Sequence, residues 1–119
     1  MSNSLNITLD QGSTFTYQLV LQNPDTTEFT LDGYTARMMV RATYGGSVLL
    51  SLTTENGKLS LGGGIVTISL YPSDTASIRF PSRDDETYEC VYDIELVTPS
   101  SQVYKPAKGT FTLNREITR

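Results

Sequence analysis

The stretch Tyr88-Glu89-Cys90-Val91-Tyr92-Asp93-Ile94-Glu95-Leu96-Val97 decides the fold. Tyr88, Cys90, Tyr92, Ile94 and Leu96 share one side of an extended chain, and Glu89, Val91, Asp93, Glu95 and Val97 share the other. Successive strand residues point to opposite faces, so this pattern buries one face and wets the other. No longer alternating series occurs in the chain, and it predicts a long central strand.

The same period recurs on both sides of it. Leu5, Ile7 and Leu9 predict a short first strand that ends at Asp10-Gln11-Gly12-Ser13. Phe15, Tyr17, Leu19 and Leu21 predict a second, stopped at Asn23-Pro24-Asp25 because proline removes a ladder donor. After Asp32-Gly33, the run from Tyr34 to Arg41 carries Ala36, Met38 and Val40 on one face and both arginines on the other. Gly45-Gly46 is a turn, and Val48 to Thr53 is a strand. Asn56-Gly57 reads as a hairpin turn leading to a short return strand at Leu59 and Leu61. Val66, Ile68 and Leu70 predict a strand closed by Pro72, followed by one helical turn over Ser73–Ile78 with Ser73 as its cap. Val103 and Tyr104 extend briefly after Pro99-Ser100-Ser101, and Phe111 and Leu113 mark a last strand.

About eight short strands with turn signals every 8–12 residues predict an all-β fold. The expected architecture is one antiparallel β-sandwich over residues 1–119, immunoglobulin-like or related. No stretch has a sustained helical period, which argues against a parallel βαβ arrangement.

Composition narrows the function. The 119 residues include no histidine, no tryptophan and one cysteine. Neither a catalytic triad, a Cys–His pair nor a His-ligated metal site can be built from this chain alone. No cofactor and no metal is expected. Charged residues make up only 18%, and the net charge of -4 with a pI of about 4.6 is unfavourable for gripping nucleic acid. The basic residues are scattered and never adjacent. Cys90 reads as a small buried hydrophobe. No apolar run reaches the roughly 20 residues of a membrane helix, and the N-terminus lacks the pattern of a signal peptide. Synthesis in the cytoplasm, with no membrane partner, is expected.

Three motifs invite a chemical reading and fall short of it. Gly62-Gly63-Gly64 is followed by a strand, where a phosphate loop needs a helix. Asp84-Asp85-Glu86 lacks the alternate spacing of a calcium loop. Asp93 and Glu95 share a face at a spacing that suits paired-carboxylate catalysis, yet nothing else marks a sugar cleft. The expectation is a chain that is not an enzyme. The seven tyrosines suit half-buried strands, so most are expected in the core. Tyr44, beside the double glycine, and Tyr104 are the better interface candidates.

Several segments together resemble a family of small tailed-phage virion proteins, similar to the N-terminal β-sandwich domain of upper-baseplate and tail-fibre attachment proteins. They are Gln11-Gly12-Ser13-Thr14-Phe15, Leu31-Asp32-Gly33-Tyr34-Thr35-Ala36-Arg37-Met38 and Thr54-Glu55-Asn56-Gly57. Leu70-Tyr71-Pro72-Ser73-Asp74-Thr75-Ala76, Tyr92-Asp93-Ile94-Glu95-Leu96 and Lys108-Gly109-Thr110-Phe111-Thr112-Leu113 complete the set, in the family's order. The resemblance implies a virion location and no catalytic residues. It implies a structural adaptor of the tail, baseplate or fibre, docked to other virion proteins in a homo-oligomer or symmetric assembly. A capsid decoration protein and a free carbohydrate- or ligand-binding sandwich are the alternatives. Leu5, Ile7 and Leu9 of the first strand, with Tyr44 and Tyr104, are the expected partner-binding residues, and the tail after Leu113 is a second expected edge element.

Overall fold

A computed structural model describes residues 3 to 21 and 31 to 117. The expected strand end at Asn23-Pro24-Asp25 lies outside them. Among the described residues, nine strands and one short helix run in the order β1 (Asn3–Ser4), β2 (Ile7–Asp10), β3 (Phe15–Val20), β4 (Thr35–Arg41), β5 (Val48–Thr53), β6 (Leu59–Gly62), β7 (Ile65–Leu70), α1 (Pro72–Ala76), β8 (Thr87–Val97) and β9 (Val103–Asn114). They form two sheets: a six-stranded sheet ordered β1-β9-β8-β4-β5, with β2 also beside β9, and a three-stranded sheet ordered β3-β7-β6. The β-sandwich expected from the alternation is the observed architecture.

β8 is the central strand that the pattern predicts, held between β4 and β9. Cys90, Tyr92, Ile94 and Leu96 are buried and Glu89 is exposed. Opposite them, Met38, Val40 and Leu52 of the same sheet meet Leu59, Val66, Ile68 and Leu70 of the other in one continuous core. Removing this apolar surface from water is the main drive to close the two layers. Among the described residues, no buried side-chain nitrogen or oxygen lacks a partner.

Four expectations are corrected. The sheet is not wholly antiparallel, because β1 and β2 run parallel to β9, with Ile7 opposite Phe111 and Leu9 opposite Leu113. The last two expected strands are one. β9 passes Pro106 because two residues, Lys105 and Pro106, stand opposite the single Glu95, and in that bulge a missing N–H costs no ladder bond. Asn56-Gly57 does not close a hairpin. It carries the chain from β5 in one sheet to β6 in the other, and Asn56 supplies the bonds a ladder would have given. Its Oδ1 accepts from the Thr53 and Lys58 amides at 3.0 Å each, and its Nδ2 donates to the Ser51 carbonyl at 3.0 Å. Finally, Tyr71 rather than Ser73 caps α1, with Pro72 in its first turn and the Asp74 carboxylate accepting from the Tyr71 amide at 2.7 Å. Gly63 and Gly64 do form a hairpin turn between β6 and β7. Both have positive φ, as a two-residue turn of that hand needs.

Between β2 and α1 the chain buries a polar plug. The Gln11 Nε2 donates to the carbonyls of Thr75, Ala76 and Ile78 at 3.1–3.3 Å, and its Oε1 accepts from the Glu116 amide at 3.1 Å. The Gly12 amide donates to the Thr75 Oγ1 at 2.8 Å, and Thr75 is fully buried. A five-residue helix has too few internal bonds to stand alone. Gln11 satisfies its open carbonyl end and ties it to the tail.

Candidate docking surfaces

The first candidate surface is the N-terminal edge. β1 and β2 border the larger sheet and β5 borders it on the other side, while β3 and β6 border the smaller one. Ile7 and Leu9 are buried and Leu5 half-buried against the core. The Ile7 and Leu9 side chains therefore point into the core, and what that segment presents outward is the edge of its backbone. The strand kinks at Leu5 and Asn6, where it crosses Gly109. There the Leu5 amide donates to the Lys108 carbonyl at 2.8 Å, and the Asn6 Oδ1 accepts from the Thr110 amide at 3.2 Å. The Tyr92 hydroxyl donates to the Leu5 carbonyl at 2.6 Å, and burial, aided by Tyr17, pushes its pKa up to about 12. Gly109 leaves room for this crossing: a Cβ there meets the Leu5 carbonyl carbon at 2.8 Å and the oxygen closer still.

The expected tail edge after Leu113 is tucked in. The Arg115 amide donates to the Glu86 carbonyl, and the Glu116 amide to Gln11. β3 is the less covered edge. Its inward Phe15, Tyr17 and Leu19 are only half-buried, whereas Val66, Ile68 and Leu70 on the neighbouring β7 are fully buried.

The second surface is the outer face of the larger sheet near the β4–β5 turn. Tyr44 is 86% exposed there. Its loop is braced by the Arg41 Nη1, which donates to the Gly46 carbonyl at 2.7 Å, and by the Gly46 amide donating to the Thr43 carbonyl. Gly45, at φ 72°, allows the turn. Beneath the ring, Met39, Asp93 and Lys108 lie in register across β4, β8 and β9. Together with Arg41, Gly45 and Val91 they line a groove of about 330 Å³. Met39 and Val48 are exposed apolar neighbours. Tyr104 lies at the opposite end of the sheet, paired with Leu96 and half-exposed, its hydroxyl donating to the Gln102 Oε1 at 3.2 Å. Tyr44 and Tyr104 therefore do not form one patch. Of the seven tyrosines only Tyr92 is fully buried; Tyr17, Tyr34 and Tyr88 are half-buried and Tyr71 is exposed. Most therefore belong to the core as expected, since Tyr92 lies within it and Tyr17, Tyr34 and Tyr88 pack against it.

Asp93 and Glu95 do share this outer face, as the alternation predicts. Both are ion-paired. Arg37 Nε binds Glu95, and the Lys105 Nζ lies 3.2 Å from Asp93 and 3.4 Å from Glu95. The bulge at Pro106 sets Lys105 between them. The Arg37 hydrogen bond holds the Glu95 carboxyl below its ordinary range, with Lys105 adding to the effect against partial burial. A carboxyl held ionised this way does not serve as a proton donor near neutrality. Cys90 is fully buried, as its context suggests, and burial pushes its thiol up to about 11. Among the described residues, no group of three or more cysteine, aspartate or glutamate residues is placed to hold a metal ion. Among the described residues, no helix is long and apolar enough to cross a membrane.

The fold and these surfaces define a two-sheet β-sandwich whose edge strands have one unpaired side among the described residues. No family model matches the chain, and no curated protein matches it. Among solved structures it is similar to murine CRIg, with 14% identity and a TM-score of 0.40 over 94% of this chain and 92% of that one.

Proposed function

We propose that this chain is a non-enzymatic structural component of a tailed-phage virion, an adaptor of the tail, baseplate or fibre that docks to other virion proteins in a symmetric assembly. The virion setting rests on the ordered sequence segments that resemble that family. The docking role rests chiefly on Tyr44, an exposed aromatic ring on a braced turn, standing over a groove with apolar neighbours. Tyrosines are among the residues that dominate interfaces, and with two side-chain torsions they lose little freedom on contact. The open backbone edges of β2 and β3 suit the addition of a strand from a neighbour.

Size-exclusion chromatography with light scattering tests this reading, together with co-purification from particles. The expected result is an oligomer, or retention by particle proteins, which Tyr44→Ala weakens without changing the melting temperature. A strict monomer that retains a glycan sinks the virion reading in favour of a sugar-binding module.

A further inference from the structure

An open groove of about 540 Å³ lies between the segment after α1 and the C-terminal strand end, with Ile78, Phe80, Arg79, Arg83 and Arg115 among its lining residues. The protein is acidic overall, yet three of its nine basic residues meet here. Arg79 and Arg83 come from one short segment after α1, and the fold brings Arg115 to them from the far end of β9. Arg37, Lys58 and Lys105 are each paired with a carboxylate elsewhere. Among the described residues, the guanidinium groups of Arg79 and Arg83 have no hydrogen-bond or ion-pair partner. Arg115 is held in place without a carboxylate: its Nη1 donates to the carbonyls of Ser82 at 3.0 Å and Asp85 at 2.9 Å, and its guanidinium carbon lies 4.9 Å from the centre of the Phe80 ring. Among the described residues, its Nε and Nη2 donors are left over.

We propose that this groove binds the carboxylate side chains of an acidic peptide segment on a partner protein. A guanidinium fork accepts a carboxylate through two parallel, charge-assisted hydrogen bonds. Arg115 is pre-organised for it, and Phe80 and Ile78 form an apolar wall for the aliphatic stem of a glutamate. Asp84, Asp85 and Glu86 follow Arg83 directly. A long polyphosphate leaving the groove meets that acidic run, whereas a segment with one or two carboxylates stops short of it. The inference deepens the docking reading by giving the chemistry of one contact. A free peptide is measured without any assembly, so its failure is separable from failure of that reading.

Fluorescence anisotropy of a fluorescein-labelled peptide amide carrying two glutamates among glycines, with the full chain at low salt, is the test. Saturable binding that weakens as salt rises is expected, because such pairs are screened. Replacing Arg79→Gln and Arg83→Gln together weakens binding by about tenfold or more, the scale of a lost charged hydrogen bond. Both side chains are exposed, and a thermal melt checks that the fold is kept. Lys105→Gln, far from the groove, leaves binding unchanged. Equal binding by the double variant overturns the proposal, as does an absence of saturation. Stronger competition by inorganic phosphate or an oligothymidylate than by the unlabelled two-glutamate peptide also overturns it and reassigns the groove to phosphate groups.

Discussion

Replacing Gly109 by alanine probes how the first strand is fastened. A glycine inside a strand ordinarily costs about 0.5–1 kcal/mol relative to alanine, so a general rule expects the variant to be more stable. The structure reverses the sign. The added Cβ meets backbone at Leu5, 2.8 Å from its carbonyl carbon, and backbone cannot swing aside as a side-chain tip can. The segment must lift, and three bonds are strained or lost: Leu5 to Lys108, Thr110 to Asn6 and Tyr92 to Leu5. At about 0.5–1.5 kcal/mol net for each, the loss is about 1.5–4.5 kcal/mol, centred near 3 kcal/mol. If β2 peels away as well, Ile7 and Leu9 are exposed and the loss grows by about 1.5–3 kcal/mol for each. Urea unfolding with linear extrapolation measures it, and the melting temperature falls by about 8–16 °C for a domain of this size. Amide exchange should accelerate at Ile7 and Leu9 before it does in β8. A Gly109→Ala variant as stable as the parent refutes the crossing at this position.

Three further outcomes follow from described contacts. Thr75→Val keeps the shape but leaves the Gly12 amide without its acceptor, and urea unfolding should show a loss of about 1–3 kcal/mol. Glu95 is held below its ordinary carboxyl value of 4.5, so its pairing stabilises the fold above that pH and is lost as pH falls through the depressed value. Glu95→Gln should flatten the acid limb of stability measured by denaturant at stepped pH, and added salt should shrink the wild-type slope. The neutral Cys90 thiol is favoured by the fold, an effect complete below its ordinary 9.0 and lost as pH rises through about 11. A chromogenic disulfide reagent at pH 8 should therefore label Cys90 only after urea is added; rapid labelling of the native chain contradicts its burial.

Alternation made the faces legible and left the partners of each strand open. It sorted Cys90, Tyr92, Ile94 and Leu96 inward and placed Asp93 and Glu95 together outside, both as observed. It could not show that Arg37 and Lys105 neutralise those carboxylates, because ion pairs across strands depend on register, which the pattern of one strand does not contain. Parallel pairing of β2 with β9 escaped for the same reason. That the last two expected strands are one escaped as well, because the bulge that accommodates Pro106 exists only against Glu95. Asn56-Gly57 carried a true turn signal, but turn chemistry does not state which sheet the next strand joins. Tyr44 was legible as an exposed ring beside glycines. The arginine groove was not, since Arg79, Arg83 and Arg115 meet only after the last strand has folded back.

The parallel seam between β2 and β9 has a mechanical consequence. Their leading ends lie at one end of the sandwich and their trailing ends at the other. Tension applied through the segment before β1 and the segment after β9 therefore slides the two strands lengthwise, in opposite directions. Every rung from Ile7–Phe111 to Asp10–Asn114 takes load at the same moment. A hairpin pulled from its open end parts one rung at a time; this seam resists as a clasp and lets go all at once.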